Sequence, residues 1–186
     1  MEKTKPHICP VALAGPLASR CRRWVQNPAK ILGPYLREGM TVLDFGCGPG
    51  FFTLEMARLV GPSGCVVACD LQSGMLDLIR RRLAGSGLES RVTLHQCQAE
   101  RIGLALPLDF VLAFYILHEL VNPRAFFQEI GALLKPGAQI LAVEPPLHVS
   151  KKAFAAMLQT ARDAGFSHDP PRVFLNKTVH LQKASP

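Results

Sequence analysis

An aspartate followed at every second position by glycine, Asp44, Gly46, Gly48 and Gly50, is the densest chemical signal in the chain. The apolar run Thr41 to Phe45 leads into it, and a second apolar run, Cys65 to Cys69, ends on another acid, Asp70. A strand that enters a glycine-rich turn brings bare backbone against a ligand, because no Cβ intervenes. A carboxylate at the tip of the next strand accepts hydrogen bonds from ribose hydroxyls. The two together describe a site for a nucleoside-bearing cofactor. The dinucleotide fingerprint places its third glycine three residues after the second, where this chain has Phe51, so a plain NAD site is disfavoured.

Acid-x-Gly-x-Gly-x-Gly, with strand, turn, helix and distal acid in order, resembles the first motif of the class I S-adenosylmethionine-dependent methyltransferases. The resemblance covers about Ile31 to Lys183, and in overall pattern the chain is most similar to the quinone-biosynthesis and arsenite methyltransferase branches. It implies S-adenosylmethionine as cofactor, held by Asp44, Gly46, Cys47, Gly48, Gly50, Asp70, Leu71, Met75, Gln98, Ala99 and Phe114. Gly46 and Gly48 would let the backbone approach the methionine moiety, Asp44 would organise the loop, and Asp70 would hold both ribose hydroxyls. Leu71 and Met75 line the adenine pocket in this reading, or belong to the core. The family usually has an acid after the third strand to accept the adenine amino group. Gln98 stands there, able to accept through its amide oxygen but without formal charge, and Glu100 is the alternative.

Methyl transfer from a sulfonium is an in-line displacement that removes positive charge from sulfur, so it depends on alignment and exclusion of water. Phe51, Phe114 and Tyr115 are candidates to present ring faces to the sulfonium, or to pack the core. After the fourth strand, Tyr115 to Leu120 fall where the superfamily carries substrate-facing residues. His118, with an ordinary pKa of about 6.5, suits removal of a proton from a hydroxyl or thiol. Glu144, at the end of the fifth strand, is a similar candidate. His7, Cys9 and Cys21 raise the question of a metalloid substrate, but zinc-type spacing is absent and so is the arsenite branch's adjacent cysteine pair. No metal is expected.

These residues need a scaffold of strands and helices in alternation. Strands are expected at Thr41 to Phe45, Cys65 to Cys69, Val92 to His95, Phe110 to Phe114 and Ile140 to Val143. Helices fall between them at about Phe51 to Val60, Gly74 to Ala84 and Pro123 to Leu134, and a last one at about Ser150 to Ala164 ends at Gly165. Lys135-Pro136-Gly137 is expected to stop the third of these, and Arg172 to Leu175 with Thr178 to Gln182 to form a closing hairpin around Asn176-Lys177. Such alternation argues for an α/β doubly wound, mostly parallel sheet. The resemblance makes it a Rossmann-like methyltransferase fold in three layers, seven-stranded, with an antiparallel last strand. Residues 1–40 are expected as an N-terminal helical cap or lid, with a short helix from Asn27-Pro28 to Gly33-Pro34, and residues 41–186 as the methyltransferase domain.

The bulk composition fits one domain: 186 residues, 48% apolar and 19% charged, with no apolar run as long as a membrane span. Lys3 and Lys5 ahead of Ala12-Leu13-Ala14 imitate a signal peptide, but Pro6, Pro10 and Pro16 interrupt the stretch, and the chain reads as cytoplasmic. The six cysteines contain no C-x-x-C pair and read as reduced thiols. A net charge of +7 is compatible with nucleic acid, anionic lipid or an acidic substrate, although Arg80, Arg81 and Arg82 fall mostly on the outer face of a helix. The chain barely exceeds a catalytic core, which favours a small-molecule methyl acceptor. RNA methylation is the first rival and a non-catalytic cofactor-binding scaffold the second. Against RNA or DNA, the Asn/Asp-Pro-Pro-aromatic motif is replaced by Phe114-Tyr115-Ile116-Leu117, and no Pro-Cys nucleophile is present.

Overall fold

The computed structural model describes residues 26–145, 147–170, 172–173 and 177–183. A short helix, α1 (Pro28–Leu32), starts at Asn27, whose side chain accepts from the Lys30 N–H at 3.3 Å. Then follow β1 (Thr41–Phe45), α2 (Thr53–Leu59), β2 (Cys65–Asp70), α3 (Ser73–Leu83) and β3 (Val92–Gln96). The chain continues as β4 (Leu108–Phe114), α4 (Pro123–Leu133), β5 (Leu134–Glu144), α5 (Lys151–Asp163), β6 (Phe166–His168), β7 (Arg172–Val173) and β8 (Lys177–Lys183).

The strands lie in the order β3-β2-β1-β4-β5-β8-β6, with two-residue β7 paired to β8. From β3 through β5 every pairing is parallel, whereas β8 runs antiparallel to β5 and to β6. This is the expected seven-strand path with an antiparallel last strand. Because successive side chains of a strand point to opposite faces, each central strand feeds two cores. Leu43 and Phe45 of β1, Val67 and Cys69 of β2, and Val111 and Ala113 of β4 join Phe126, Phe127 and Ile130 of α4 with Phe154 and Leu158 of α5. Val42, Val66, Ala68, Phe110 and Leu112 face the other way, onto Leu32, Met56, Ala57, Leu76 and Ile79 of α1, α2 and α3. Three layers result.

Two expectations need correction. Leu134 opens β5 rather than closing α4, and Lys135 to Ala138 form an irregularity in that strand: Leu134 pairs with Leu108, but the next partners are Gln139 and Phe110. The helix stops at Leu133, ahead of Pro136 and Gly137, which lie inside β5. Second, β6 adds a strand to those expected from the sequence, since three residues, Phe-Ser-His, are too few for an alternating pattern to register. In the closing hairpin Lys177 belongs to β8, while Leu175 and Asn176 lie outside the described residues. So do residues 1–25, which hold most of the proposed cap together with His7, Cys9 and Cys21. No described helix is long and apolar enough to cross a membrane.

Candidate functional site

The chain leaves β1 for β2 and β3 on one side, then returns to the other side of β1 as β4. The crevice at the carboxyl ends of these strands is the topological switch point, where open α/β sheets bind ligands. A cavity of about 520 Å³ lies there. Its floor is the loop after β1, and its walls are the ends of β2, β3 and β4.

The loop is held largely by backbone bonds. Gly46 and Cys47 both donate their N–H to the Cys69 carbonyl, at 2.9 and 3.0 Å, and Gly50 donates to Cys47 at 3.0 Å. Asp44 is buried and accepts the Thr53 hydroxyl at 2.6 Å, which ties the end of β1 to the start of α2. The glycines serve different ends. At Gly46, with φ +70°, a Cβ would sit 2.4 Å from the Ile116 side chain. At Gly48, with φ +51°, a Cβ would meet nothing within 4 Å, so this residue presents bare backbone to the cavity. Gly50 is not part of the cavity lining; a Cβ there would run into Ile79 of α3 at 2.8 Å, so it serves helix packing. Gly46→Ala is expected to cost about 2 kcal/mol from steric overlap and left-handed strain, and Gly48→Ala about 1 kcal/mol from strain alone. Urea denaturation of the two variants checks the order.

Asp70 lies at the tip of β2, 8% exposed, against the same loop. One carboxylate oxygen accepts the Gly48 N–H at 2.9 Å and the other accepts the Gln72 N–H at 2.9 Å. Burial raises the Asp70 pKa, and the Gln72, Gly48 and Leu71 N–H groups partly offset that rise. A carboxylate on a cavity wall, beside glycine backbone with no Cβ, is suited to accepting hydrogen bonds from hydroxyl groups.

The remaining wall is aromatic. Phe51 and Phe52 meet edge to face at 5.0 Å, while Phe52 and Phe114 at 4.5 Å and Phe114 and Tyr115 at 4.4 Å between centroids are tilted. Tyr115 is the one non-glycine residue with a left-handed φ, +62°, among the described residues. Its N–H reaches the Val143 carbonyl at 2.7 Å and its hydroxyl accepts the Gln26 amide at 2.8 Å. Strain of this kind, about 1–3 kcal/mol, persists where the surroundings over-determine it and clusters at ligand sites.

Leu71, Met75, Cys47, Gln98 and Ala99 all line the cavity, and Glu100 does not. His118 also lines it, on a 3-10 turn at Leu117–Glu119. Glu144, a candidate in its own right from its place at the end of β5, does not line the cavity but lies behind His118: 1% exposed, it borders a neighbouring groove of about 330 Å³ and accepts from His118. Cys97 lines the cavity too, as the rule that ligands sit at carboxyl strand ends leads one to expect. His148 and Gln72 also line it and are not singled out by the sequence; the same rule was the available signal for His148. Cys69 hydrogen-bonds Cys97, which keeps the Cys69 thiol protonated and draws the Cys97 pKa down. The described cysteines are all free thiols, and no described His, Cys, Asp and Glu cluster could hold a metal ion.

The chain belongs to the methyltransferase domain family of the class I S-adenosylmethionine-dependent superfamily, whose sequence profile matches residues 36–170. It is 32% identical over 146 residues to the ubiquinone/menaquinone biosynthesis C-methyltransferase UbiE of Pseudomonas paraeruginosa, covering 77% of this chain and 54% of that protein. UbiE of Cronobacter sakazakii is 34% identical over 143 residues, covering 74% and 53%. The chain thus spans about half the length of these curated relatives. Among solved structures, an Aquifex aeolicus SAM-dependent methyltransferase shares the fold with a TM-score of 0.84 at 24% identity, over 95% of this chain and all of that one. TrmN from Thermus thermophilus aligns with a TM-score of 0.66 at 26% identity, over 85% of this chain and 47% of that one.

Proposed function

We propose that the protein transfers a methyl group from S-adenosylmethionine to a small-molecule acceptor. The observation that carries this reading is the pairing of Asp70 with the uncovered Gly48 backbone across one cavity. In this assignment Asp70 holds the two ribose hydroxyls, and Gly46 and Gly48 border the methionine moiety. Leu71 and Met75 flank the adenine, and Gln98 and Ala99 meet its polar edge. The cofactor supplies a methyl group made electrophilic by the sulfonium. The chain's part is to align the acceptor and exclude water, and the wall of Phe51, Phe114 and Tyr115 suits both tasks and favours a cation, by about 0.5 to 2 kcal/mol.

The cavity volume is within the ~300–1,000 Å³ of small-ligand sites. The UbiE relatives are named for quinone biosynthesis, which supports a flat, largely apolar acceptor. We assign Gln26 to the edge of the site, because its amide donates to the Tyr115 hydroxyl at the cavity wall, whereas α1 packs into the core through Leu32. Isothermal titration tests the proposal: binding of S-adenosylmethionine and S-adenosylhomocysteine with micromolar Kd is expected, and no heat from either overturns it. Radiolabelled methyl transfer to quinols, phenols and thiols then identifies the acceptor.

A further inference from the structure

We propose that Glu144 is a positioning residue that holds His118 as the proton acceptor for the methyl acceptor's nucleophile, which makes that nucleophile one that gives up a proton, a hydroxyl or a thiol. The inference rests on the methyltransferase reading above. β4 ends at Phe114, the left-handed Tyr115 turns the chain, and the following 3-10 turn sets His118 on the cavity wall. Glu144 closes the neighbouring strand β5 and is almost completely buried. One of its oxygens accepts the His118 backbone N–H at 3.2 Å, and the other lies 2.5 Å from His118 Nδ1.

Two contacts to one residue fix both the turn and the ring. A carboxylate at Nδ1 selects the tautomer with the proton on Nδ1, so the lone pair of the neutral ring resides on Nε2. A carboxylate buried to this degree is costly unless it is hydrogen-bonded or paired. Here its bonds go to the one histidine shared by the cavity and the neighbouring groove. The Glu144 hydrogen bond raises the His118 pKa, burial opposes it, and the charges of Glu144 and Glu119 add to the rise. Other groups around the pair are few. His148, from the segment after β5, stands edge to face with His118 at 5.1 Å, and Tyr115 lies on the same turn. Lys177 of β8 is the register partner of Glu144 and is also buried. On the groove side α4 presents Pro123, and α5 presents Ala153, Phe154, Ala156, Met157 and Thr160, none of them charged.

The step balances without a further reactant. The acceptor's O–H or S–H proton passes to Nε2 of neutral His118 as the oxygen or sulfur lone pair forms the new bond to the methyl carbon. The carbon–sulfonium bond breaks with its electron pair retained on sulfur, leaving a neutral thioether. Imidazolium His118, stabilised by Glu144, then releases its proton to water. Since only the neutral ring accepts a proton, turnover falls as pH drops through the His118 pKa. Removing the Glu144 charge lowers that pKa and moves the acid limb to lower pH.

The test uses the full chain, with Glu144→Gln, Glu144→Asp and His118→Ala. Carbon-13 NMR titration of the His118 ring is expected to give a pKa above that of an ordinary histidine, lower in Glu144→Gln and restored in Glu144→Asp. Methyl transfer is then followed with labelled donor and four probes: catechol, hydroquinone, 2-mercaptoethanol and pyridine, the last having no proton to lose. Expected is transfer to at least one of the first three, lowered on the order of 10²–10⁴-fold in His118→Ala. The acid limb of kcat should shift in Glu144→Gln by the displacement seen in NMR. An ordinary His118 pKa in the wild type, an unmoved limb, no transfer to the three protic probes, or equal transfer to pyridine overturns the proposal. Should Glu144→Gln not fold, the wild-type titration and Glu144→Asp still decide it. S-adenosylhomocysteine binding, unchanged in all three variants, separates this failure from failure of the methyltransferase reading, in which the wild type itself would not bind.

Discussion

Asp70→Ala is expected to bind S-adenosylhomocysteine on the order of 10- to 150-fold more weakly than the wild type in isothermal titration. The magnitude follows from loss of charge-assisted hydrogen bonds to the ribose, about 1.5 to 3 kcal/mol. The wild-type affinity carries a signature that the variant lacks. Burial raises the Asp70 pKa, so its charged form is lost at a higher pH than that of a surface aspartate. The ionised carboxylate accepts hydroxyl protons on both oxygens and the protonated one does not. Affinity should therefore decline as pH falls from neutral through the Asp70 pKa, whereas Asp70→Ala should stay flat over that range. Equal affinity of variant and wild type at neutral pH would remove Asp70 from the site.

Phe127→Ala is expected to lose about 3–5 kcal/mol of stability in urea unfolding, with little change in the affinity of whatever protein remains folded. Phe127 has no exposed surface, meets Phe126 at 5.2 Å and Phe166 at 5.6 Å, and so joins α4 to the antiparallel edge of the sheet. Removing the ring opens a void between α4 and β6, a strand that keeps its pairing with β8. A loss below about 1 kcal/mol would mean that β6 and α4 close over the gap.

Strands β1 through β4 and the helices between them were legible because each is long enough to show its period and most are bounded by glycine or proline. The glycine turn and Asp70 were equally plain, since backbone geometry and one carboxylate define that half of the site from residue types alone. What failed to show was what depends on two distant segments meeting. Glu144 reads as one more acid at a strand end; only the pairing of β4 with β5 brings it against His118. Gly50 belongs to the same motif as Gly46 and Gly48, yet its neighbour is Ile79 across α3, a packing fact that spacing does not carry. Gln26 and Tyr115 are 89 positions apart, and no periodicity links them.

Three N–H groups of the turn, two bonded to the Cys69 carbonyl of β2 and one to Cys47 within the turn, are committed whether or not a guest is present. The floor of the crevice is therefore preorganised, and little conformational entropy is lost there on association. Arrival should be governed by diffusion through the mouth rather than by a slow rearrangement of the floor. The spent donor, which shares the adenosyl half, meets the same rigid surface as the fresh one and competes with it as product builds up.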